Sequence, residues 1–331
     1  MKISPINNTF YNYSSKINSK QIKFTGIKEE KTPCMFTFDL DGTLAHGTDQ
    51  DIEKIIKLKQ QKNATLVYAT GRNLEKFLNL QKELSKKGTT LPLPDYLIAR
   101  NGLFIYKNID GKLIEDPEWV DLIYKDFPKE KILNLVKDIA FTEEYALTPN
   151  GKKPTKFEES KLCQFEFWGS DRMLQFICDN SIDKETEKTL NKTLKENGIH
   201  AIVLRQEFPK QAWDELSTPE QLSIVNPRYN GKDYCTQIDI LPKDKADAVK
   251  FIQTKKLNLP NEEVLIAGND ANDITMAKLS TTGSNFIALA NASERLKSLC
   301  QTLLKQQANV YLAQNEGAKG ILEGIEKFSQ Q

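Results

Sequence analysis

Residues 38–44 read Phe38-Asp39-Leu40-Asp41-Gly42-Thr43-Leu44 and close an apolar run that opens at Met35. A short apolar run ending in acids reads as a buried strand with a polar C-terminal tip. In an open α/β sheet, ligands bind outside the carboxyl ends of the strands, so both carboxylates stand where chemistry is placed. Two acids this close repel, and a bound cation or a shared proton offsets the repulsion. A hard cation such as Mg²⁺ takes oxygen ligands and keeps waters and substrate phosphate oxygens. Gly42 lets the backbone turn sharply beside the pair.

The sequence around this strand alternates strand and helix. Ile52, Ile55, Ile56 and Leu58 predict a helix over 51–62, and Thr65–Ala69 a second strand. Asn73–Lys87 reads as a helix stopped at Gly88, and Tyr96–Ala99 as a third strand. Asn101-Gly102 and Asp110-Gly111 are turn signals flanking a strand at Leu103–Tyr106. From Lys245 the same texture returns. Helices are expected at 245–256, 274–279, 293–305 and 320–328, with strands at 263–267, 286–290 and 310–313. Such alternation implies βαβ units on a mainly parallel sheet. The middle differs: helices at 130–141 and 183–197 stand among strands at 161–168, 199–205, 221–225 and 234–241. The expected organisation is a core made of residues 32–115 and 237–331, interrupted by an α+β cap at 116–236. Residues 1–31 are rich in Asn, Ser and Lys, have no acid before Glu29, and read as a disordered leader.

Composition narrows the function. The 331 residues carry 46 basic and 45 acidic side chains, a formal charge of +1, which argues against an electrostatic nucleic-acid binder. No stretch approaches the ~20 apolar residues of a membrane helix. Cys34, Cys163, Cys178, Cys235 and Cys300 lie far apart, so free thiols in a reducing, cytoplasmic compartment are expected. With only His46 and His200, a His-rich zinc site or a His-centred relay has little material. Nothing in the sequence fixes the oligomeric state.

The DxDGTL string resembles the first motif of the haloacid dehalogenase superfamily of phosphohydrolases. Tyr68-Ala69-Thr70-Gly71-Arg72 is similar to the second motif, which implies that Thr70 hydrogen-bonds the transferring phosphoryl group. Asp239-Ile240-Leu241-Pro242, followed by Lys245-Ala246-Asp247-Ala248-Val249, resembles the third. Lys245 is the expected motif lysine, with Lys243 the alternative. Gly268-Asn269-Asp270-Ala271-Asn272-Asp273 resembles GDxxND, but Asn269 stands where the family has a metal-binding Asp. Asn269 can offer a carbonyl oxygen without charge, and the adjacent Asp270 can take over. About 175 residues separate motifs two and three, which in this superfamily implies an α/β cap. Pro94-Asp95-Tyr96-Leu97-Ile98, Asn101-Gly102, Trp119 and the Gly317–Gly324 stretch look like the Cof-type (IIB) branch, in particular its sucrose-phosphate-phosphatase-like members.

The resemblance implies a Rossmann-like core with an inserted cap that selects the substrate. It also implies Mg²⁺-dependent hydrolysis of a small phosphate monoester, a sugar phosphate, through an aspartyl-phosphate. Asp39 is the implied nucleophile and Asp41 the acid and base. Thr70 and Lys245 complete the catalytic set. Leu40, Gly71, Arg72 and Asn272 are expected around the phosphate. Asp39, Asp41, Asn269, Asp270 and Asp273 are expected around the metal. A phosphomutase of the same branch and a catalytically weak binding module, the latter suggested by Asn269, are the alternatives. Arg205, Lys210, Arg228, Lys232 and Trp168 are open to a role as cap contacts or as ordinary surface and core residues.

Overall fold

In the computed structural model, which describes residues 35–125, 127–136, 162–164, 171–211, 214, 222 and 225–330, the first motif closes strand β1 (Met35–Phe38). Residues 1–31, with the expected leader, lie outside the described residues, as do Trp168 and Cys34. The chain continues through α1 (Asp49–Gln61), β2 (Thr65–Ala69), α2 (Leu74–Lys86) and β3 (Tyr96–Ala99). A hairpin, β4 (Phe104–Ile109) and β5 (Lys112–Glu115), turns at Asp110-Gly111, and α3 (Pro117–Lys125) follows. Then come α4 (Lys129–Val136), β6 (Leu162–Gln164), β7 (Leu174–Cys178), α5 (Asp183–Glu196), β8 (Ile202–Pro209) and β9 (Tyr234–Leu241). The C-terminal part runs α6 (Lys245–Phe251), β10 (Val264–Gly268), α7 (Ile274–Lys278), β11 (Asn285–Ala288), α8 (Glu294–Lys305), β12 (Val310–Leu312) and α9 (Gly317–Ser329).

Two sheets result. The larger has the order β12-β11-β10-β1-β2-β3-β4-β5 and is parallel except for the antiparallel β3–β4 and β4–β5 pairs. Its strands are apolar on both faces because helices cover both. Met35, Val67, Ile98, Val264 and Phe286 face α3, α6, α7 and α8. Phe36, Phe38, Tyr68, Leu97 and Ile287 face α1, α2 and α9. This is the expected α/β, Rossmann-like layering. Met35 pairs with Val264 on one side and Thr65 on the other, so β1 is central and its tip opens between the tips of β2 and β10.

The smaller sheet, β6-β7-β9-β8, is antiparallel. One face packs Leu174, Phe176, Ile238 and Ile240 against α4 and α5. The strand β9 lies wholly in this sheet, so a boundary at 236/237 cuts through it. The α3 helix packs on the large sheet through Trp119 and Ile123, so the chain leaves the core after residue 116 rather than at it. Arg172 clasps the two parts: its Nη1 donates to the Leu103 carbonyl at 3.2 Å, and its guanidinium lies 4.1 Å from the Phe104 ring centroid.

Two expectations need correction. Of the strand expected at Gln221–Val225, the two described residues, Leu222 and Val225, are helical rather than extended, and Val225 is buried against Cys163, Ile177 and Cys235. A short apolar run bounded by polar residues does not discriminate the two periods. The strand expected at 199–205 begins at Ile202 and extends to Pro209. Cys163, Cys178, Cys235 and Cys300 are free and buried. Among the described residues no helix is long and apolar enough to cross a membrane.

After β3 the backbone enters left-handed conformations at three successive residues, Arg100 (φ 49), Asn101 (φ 56) and Gly102 (φ 108). Only glycine fits the third, since a Cβ there would lie 2.2 Å from the Asp244 backbone. This close approach presses the end of β3 onto the start of α6 and is held by Trp119 Nε1, which donates to the Gly102 carbonyl at 3.0 Å. Gly102→Ala is expected to destabilise the fold by about 3 kcal/mol through backbone strain and this overlap. A chemical-denaturation midpoint equal to that of the native protein would refute the close approach.

Candidate active site

The site grows from three strand tips. Asp39 follows β1, and its N–H donates to the Ala267 carbonyl at 3.0 Å, extending the ladder by one residue and fixing where its side chain starts. The chain then turns tightly, with Thr43 N–H donating to Leu40 and Leu44 N–H to Asp39. Gly42 makes the turn at φ 69, and a Cβ there would meet Asn269 Nδ2 at 2.2 Å. The first and fourth motifs are thereby packed against each other, with Thr43 Oγ1 donating to Asn269 Oδ1 at 3.1 Å.

Lys245 opens α6 behind an Asp244 capping box. It is 0% exposed, and its Nζ donates to Asp39 Oδ1 at 2.7 Å and Asp273 Oδ1 at 2.8 Å. Burial alone would lower the lysine's pKa, but Asp273 and Asp39 outweigh it, so Lys245 is held protonated. Asp39 is raised, first by burial and then by neighbouring Asp273, against the pull of Lys245. Asp273 is fully buried and spends its other oxygen on the N–H groups of Asn269 (2.9 Å) and Asp270 (3.1 Å). Lysine at position 245, not 243, is therefore the one that reaches the first motif.

Asp39 Oδ2 remains. Among the described residues no group donates to it, and Asp39 lines a cleft of about 930 Å³ between the two sheets. Asp41 stands above it, gripped by Arg72: Nε lies 3.1 and 2.9 Å from its two oxygens and Nη2 lies 2.7 Å from Oδ1. Thr70 is buried, and its Oγ1 accepts from the Arg72 N–H at 3.1 Å, bracing the turn after β2. Among the described residues none accepts a hydrogen bond from the backbone N–H of Leu40, Asp41 or Gly71. Turn amides without acceptors form a ready anion cradle.

Of the residues expected to cradle phosphate, Gly71, Arg72 and Asn272 line the cleft. Arg72 faces Asp41, and Asn272 Nδ2 donates to Asn101 Oδ1 at 3.1 Å. Leu40 is buried and can offer only its backbone. Of the five residues expected around a metal, the Asp41 carboxylate is committed to Arg72 and Asp273 to Lys245 and two amides. Asp39, Asn269 and Asp270 line the cleft, with Asn269 Oδ1 also accepting from Thr43 Oγ1. Among the described residues no three His, Cys, Asp or Glu side chains are gathered as a metal-binding group. The donor set nonetheless fits a hard cation. Two buried carboxylates, Asp39 and Asp273, against one ammonium leave a net negative charge, beside the amide carbonyl of Asn269 and a third carboxylate, Asp270.

Sequence reasoning did not single out Asn101, Arg100 or the cap's polar face as parts of the site. Asn101-Gly102 carried a turn signal, and its left-handed geometry is what aims these side chains. Of the open cap-contact candidates, Arg205 lines the cleft while ion-paired within the cap, and Arg228 is buried away from it. Arg205 Nη1 donates to Asp183 at 2.7 Å, and Arg228 is buried with Nη2 2.8 Å from Cys163 Sγ.

A buried lysine bridging one aspartate at a strand tip and another in the loop after a neighbouring strand, on a doubly covered parallel sheet with a second small sheet across the cleft, defines a hydrolase of the haloacid dehalogenase type. The family model for haloacid dehalogenase-like hydrolases matches residues 36–311, and the chain belongs to that family. The expected phosphatase class is thus borne out at the level of the family. The chain is 23% identical over 323 residues to a kanosamine-6-phosphate phosphatase from Bacillus subtilis (strain 168), covering 94% of this chain and 98% of that protein. Its fold is similar to the sucrose-phosphatase of Synechocystis sp. PCC6803, solved with sucrose and phosphate (TM-score 0.59, 21% identity, 90% of this chain and 98% of that chain). It is also similar to a haloacid dehalogenase-like hydrolase from Bacillus subtilis (TM-score 0.51, 18% identity, 90% of this chain and 93% of that chain).

Lys245→Met leaves Asp39 and Asp273 buried without their cation and is expected to cost about 3–5 kcal/mol of stability. Adding Asp273→Asn removes one of the stranded charges and should recover part of the loss. Thermal unfolding of both proteins checks the charge balance, and equal melting of Lys245→Met and native protein would contradict it.

Proposed function

We propose that this hydrolase is a phosphatase acting on a small phosphate monoester, a sugar phosphate, through a covalent aspartyl-phosphate. The observation that carries the reading is Asp39. One carboxylate oxygen is pinned by Lys245, and the other faces the cleft without a donor. A carboxylate so held is oriented to attack phosphorus. The N–H groups of Leu40, Asp41 and Gly71, which have no acceptor among the described residues, are available to receive phosphoryl oxygens, and phosphoryl transfer relies chiefly on such positioning.

Asp41 is the acid and base of the scheme. Arg72 holds this group at the cleft, where in its protonated form it gives its proton to the departing alkoxide, and the carboxylate left behind takes one from the attacking water. Lys245 keeps Asp39 aligned and balances its charge with that of Asp273. Asp39, Asn269 and Asp270 would hold Mg²⁺, which would supply charge neutralisation between the nucleophile and the incoming phosphate. The sugar-phosphate reading is supported by a cleft walled on the cap side by polar side chains and by the two phosphatases to which the chain is similar. A cytoplasmic setting is in keeping with the four buried free thiols.

The test is phosphate release from a panel of sugar phosphates and an aryl phosphate, with Mg²⁺ and with EDTA. Release is expected to need Mg²⁺ and to fall by at least 10³ in Asp39→Asn, since losing one electrostatic contact alone removes ~10²–10³. Turnover retained in that variant would overturn the covalent scheme. Asn269→Asp is expected to lower the Mg²⁺ concentration at half-maximal rate.

A further inference from the structure

Alternation along the small sheet sorts its residues onto two faces. Gln175 stands opposite Asp239 and Asp239 opposite Leu204, while Gln237 stands opposite Gln206 and Ile177. All of these share the face turned away from α4 and α5. Farther from the core, the same face is apolar, and Cys163, Ile177 and Cys235 are covered by Val225 and Tyr229. The half nearer the core is left to the cleft, and it is polar: Gln175, Gln206, Gln237 and Asp239 all line it.

These four side chains are organised around one carboxylate. Asp239 is 1% exposed and Gln237 4%. Gln237 Nε2 lies 2.8 Å from Asp239 Oδ1 and 2.9 Å from Oδ2. Gln175 Nε2 donates to Oδ1 at 3.2 Å and Gln206 Nε2 to Oδ2 at 3.0 Å. An ionised carboxylate only accepts, so each carboxamide must turn its NH₂ toward Asp239. The orientation of all three amides follows. Among the described residues no donor reaches the Oε1 of Gln175, Gln206 or Gln237. Burial pushes Asp239 up to about 6, against the pull of Gln237, Gln175, Arg100 and Gln206. The arrangement therefore maintains a buried charge at a cost, and its spare carbonyl oxygens and N–H groups face a cleft.

We propose that the Asp239–Gln175–Gln206–Gln237 cage is a substrate subsite that recognises hydrogen-bond donors on adjacent carbons of the sugar, remote from the phosphate. The proposal rests on the sugar-phosphate reading above and locates its selectivity. Gln175 and Gln206, each spending one N–H on Asp239, keep one acceptor beside one donor, which is the complement of a hydroxyl pair. A site built to bond such groups discriminates strongly against analogues that lack them, because its own polar groups are then left unpaired. A ligand without hydroxyls gains nothing from the cage.

The test uses the full-length protein with Asp239→Asn, which keeps shape and removes charge, and Gln206→Leu as a second variant on the cleft edge. Probes are glucose 6-phosphate, its 2-deoxy and 3-deoxy analogues, glucosamine 6-phosphate and p-nitrophenyl phosphate. For the sugar phosphates kcat/KM is expected to fall at least tenfold, mainly through KM, while the aryl phosphate stays within threefold. In the native protein a deoxy analogue should show the same penalty, and the penalty should vanish in the variants. A loss confined to glucosamine 6-phosphate assigns the donor to an ammonium, and a loss shared with glucose 6-phosphate to hydroxyls. Equal losses on sugar and aryl phosphates, or no loss on either, overturn the subsite. Should the native protein release phosphate from none of these probes, the phosphatase reading fails on its own. Calorimetric binding of glucose 6-phosphate and glucosamine 6-phosphate to native and Asp239→Asn protein then decides the subsite. Weaker binding in the variant supports it, and equal or absent binding overturns it.

Discussion

A single buried ammonium group organises the site. Lys245 Nζ touches Asp39 and Asp273 at once, 206 and 28 residues away in sequence. Without it, two carboxylates would lie in the interior with no counter-charge, a situation that costs several kcal/mol per ion. With it, three loops from β1, β10 and the start of α6 share one anchor. Desolvation makes the contact strong and also makes it demanding: Lys245 must enter from a helix whose first turn is fixed in place. The Asp244 capping box fixes that turn.

The rest of the core serves that requirement. The central position of β1 places Asp39 between the tips of β2 and β10. Asp273 is tied twice to the backbone of the loop it closes, so its free lone pairs point to one place. Gly42 and Gly102 appear where a distant segment lies within the volume of a methyl group, the Asn269 side chain at Gly42 and the Asp244 backbone at Gly102. In each case the local sequence choice is set by a contact with a distant segment.

This explains which parts of the site were legible in the sequence. The strand–helix alternation followed from local spacing, and the α/β layering bore it out; the choice of Lys245 over Lys243 followed from the resemblance to the family's third motif. What local spacing could not supply was the assignment of partners. Asp41 and Asp273 read as metal candidates alongside Asp39, yet in three dimensions one belongs to Arg72 and the other to Lys245. Leu222 and Val225 read as strand because an apolar run looks alike in both periods, and burial against the cap sheet settled it as helix. The cage around Asp239 was invisible for a similar reason: glutamines at 175, 206 and 237 carry no motif until antiparallel pairing sets them side by side.

The strand β9 ends at Leu241, and Lys245 opens the next helix, so Asp239 and Lys245 are six residues apart on one uninterrupted segment. Pro242 and the buried Asp244 stiffen the interval. The segment is a short tether with the cleft-lining carboxylate of Asp239 at one end and Lys245, which contacts Asp39, at the other. Only three residues, Pro242, Lys243 and Asp244, separate the end of the cap strand from the lysine that anchors Asp39, so the two halves of the cleft share one short covalent link.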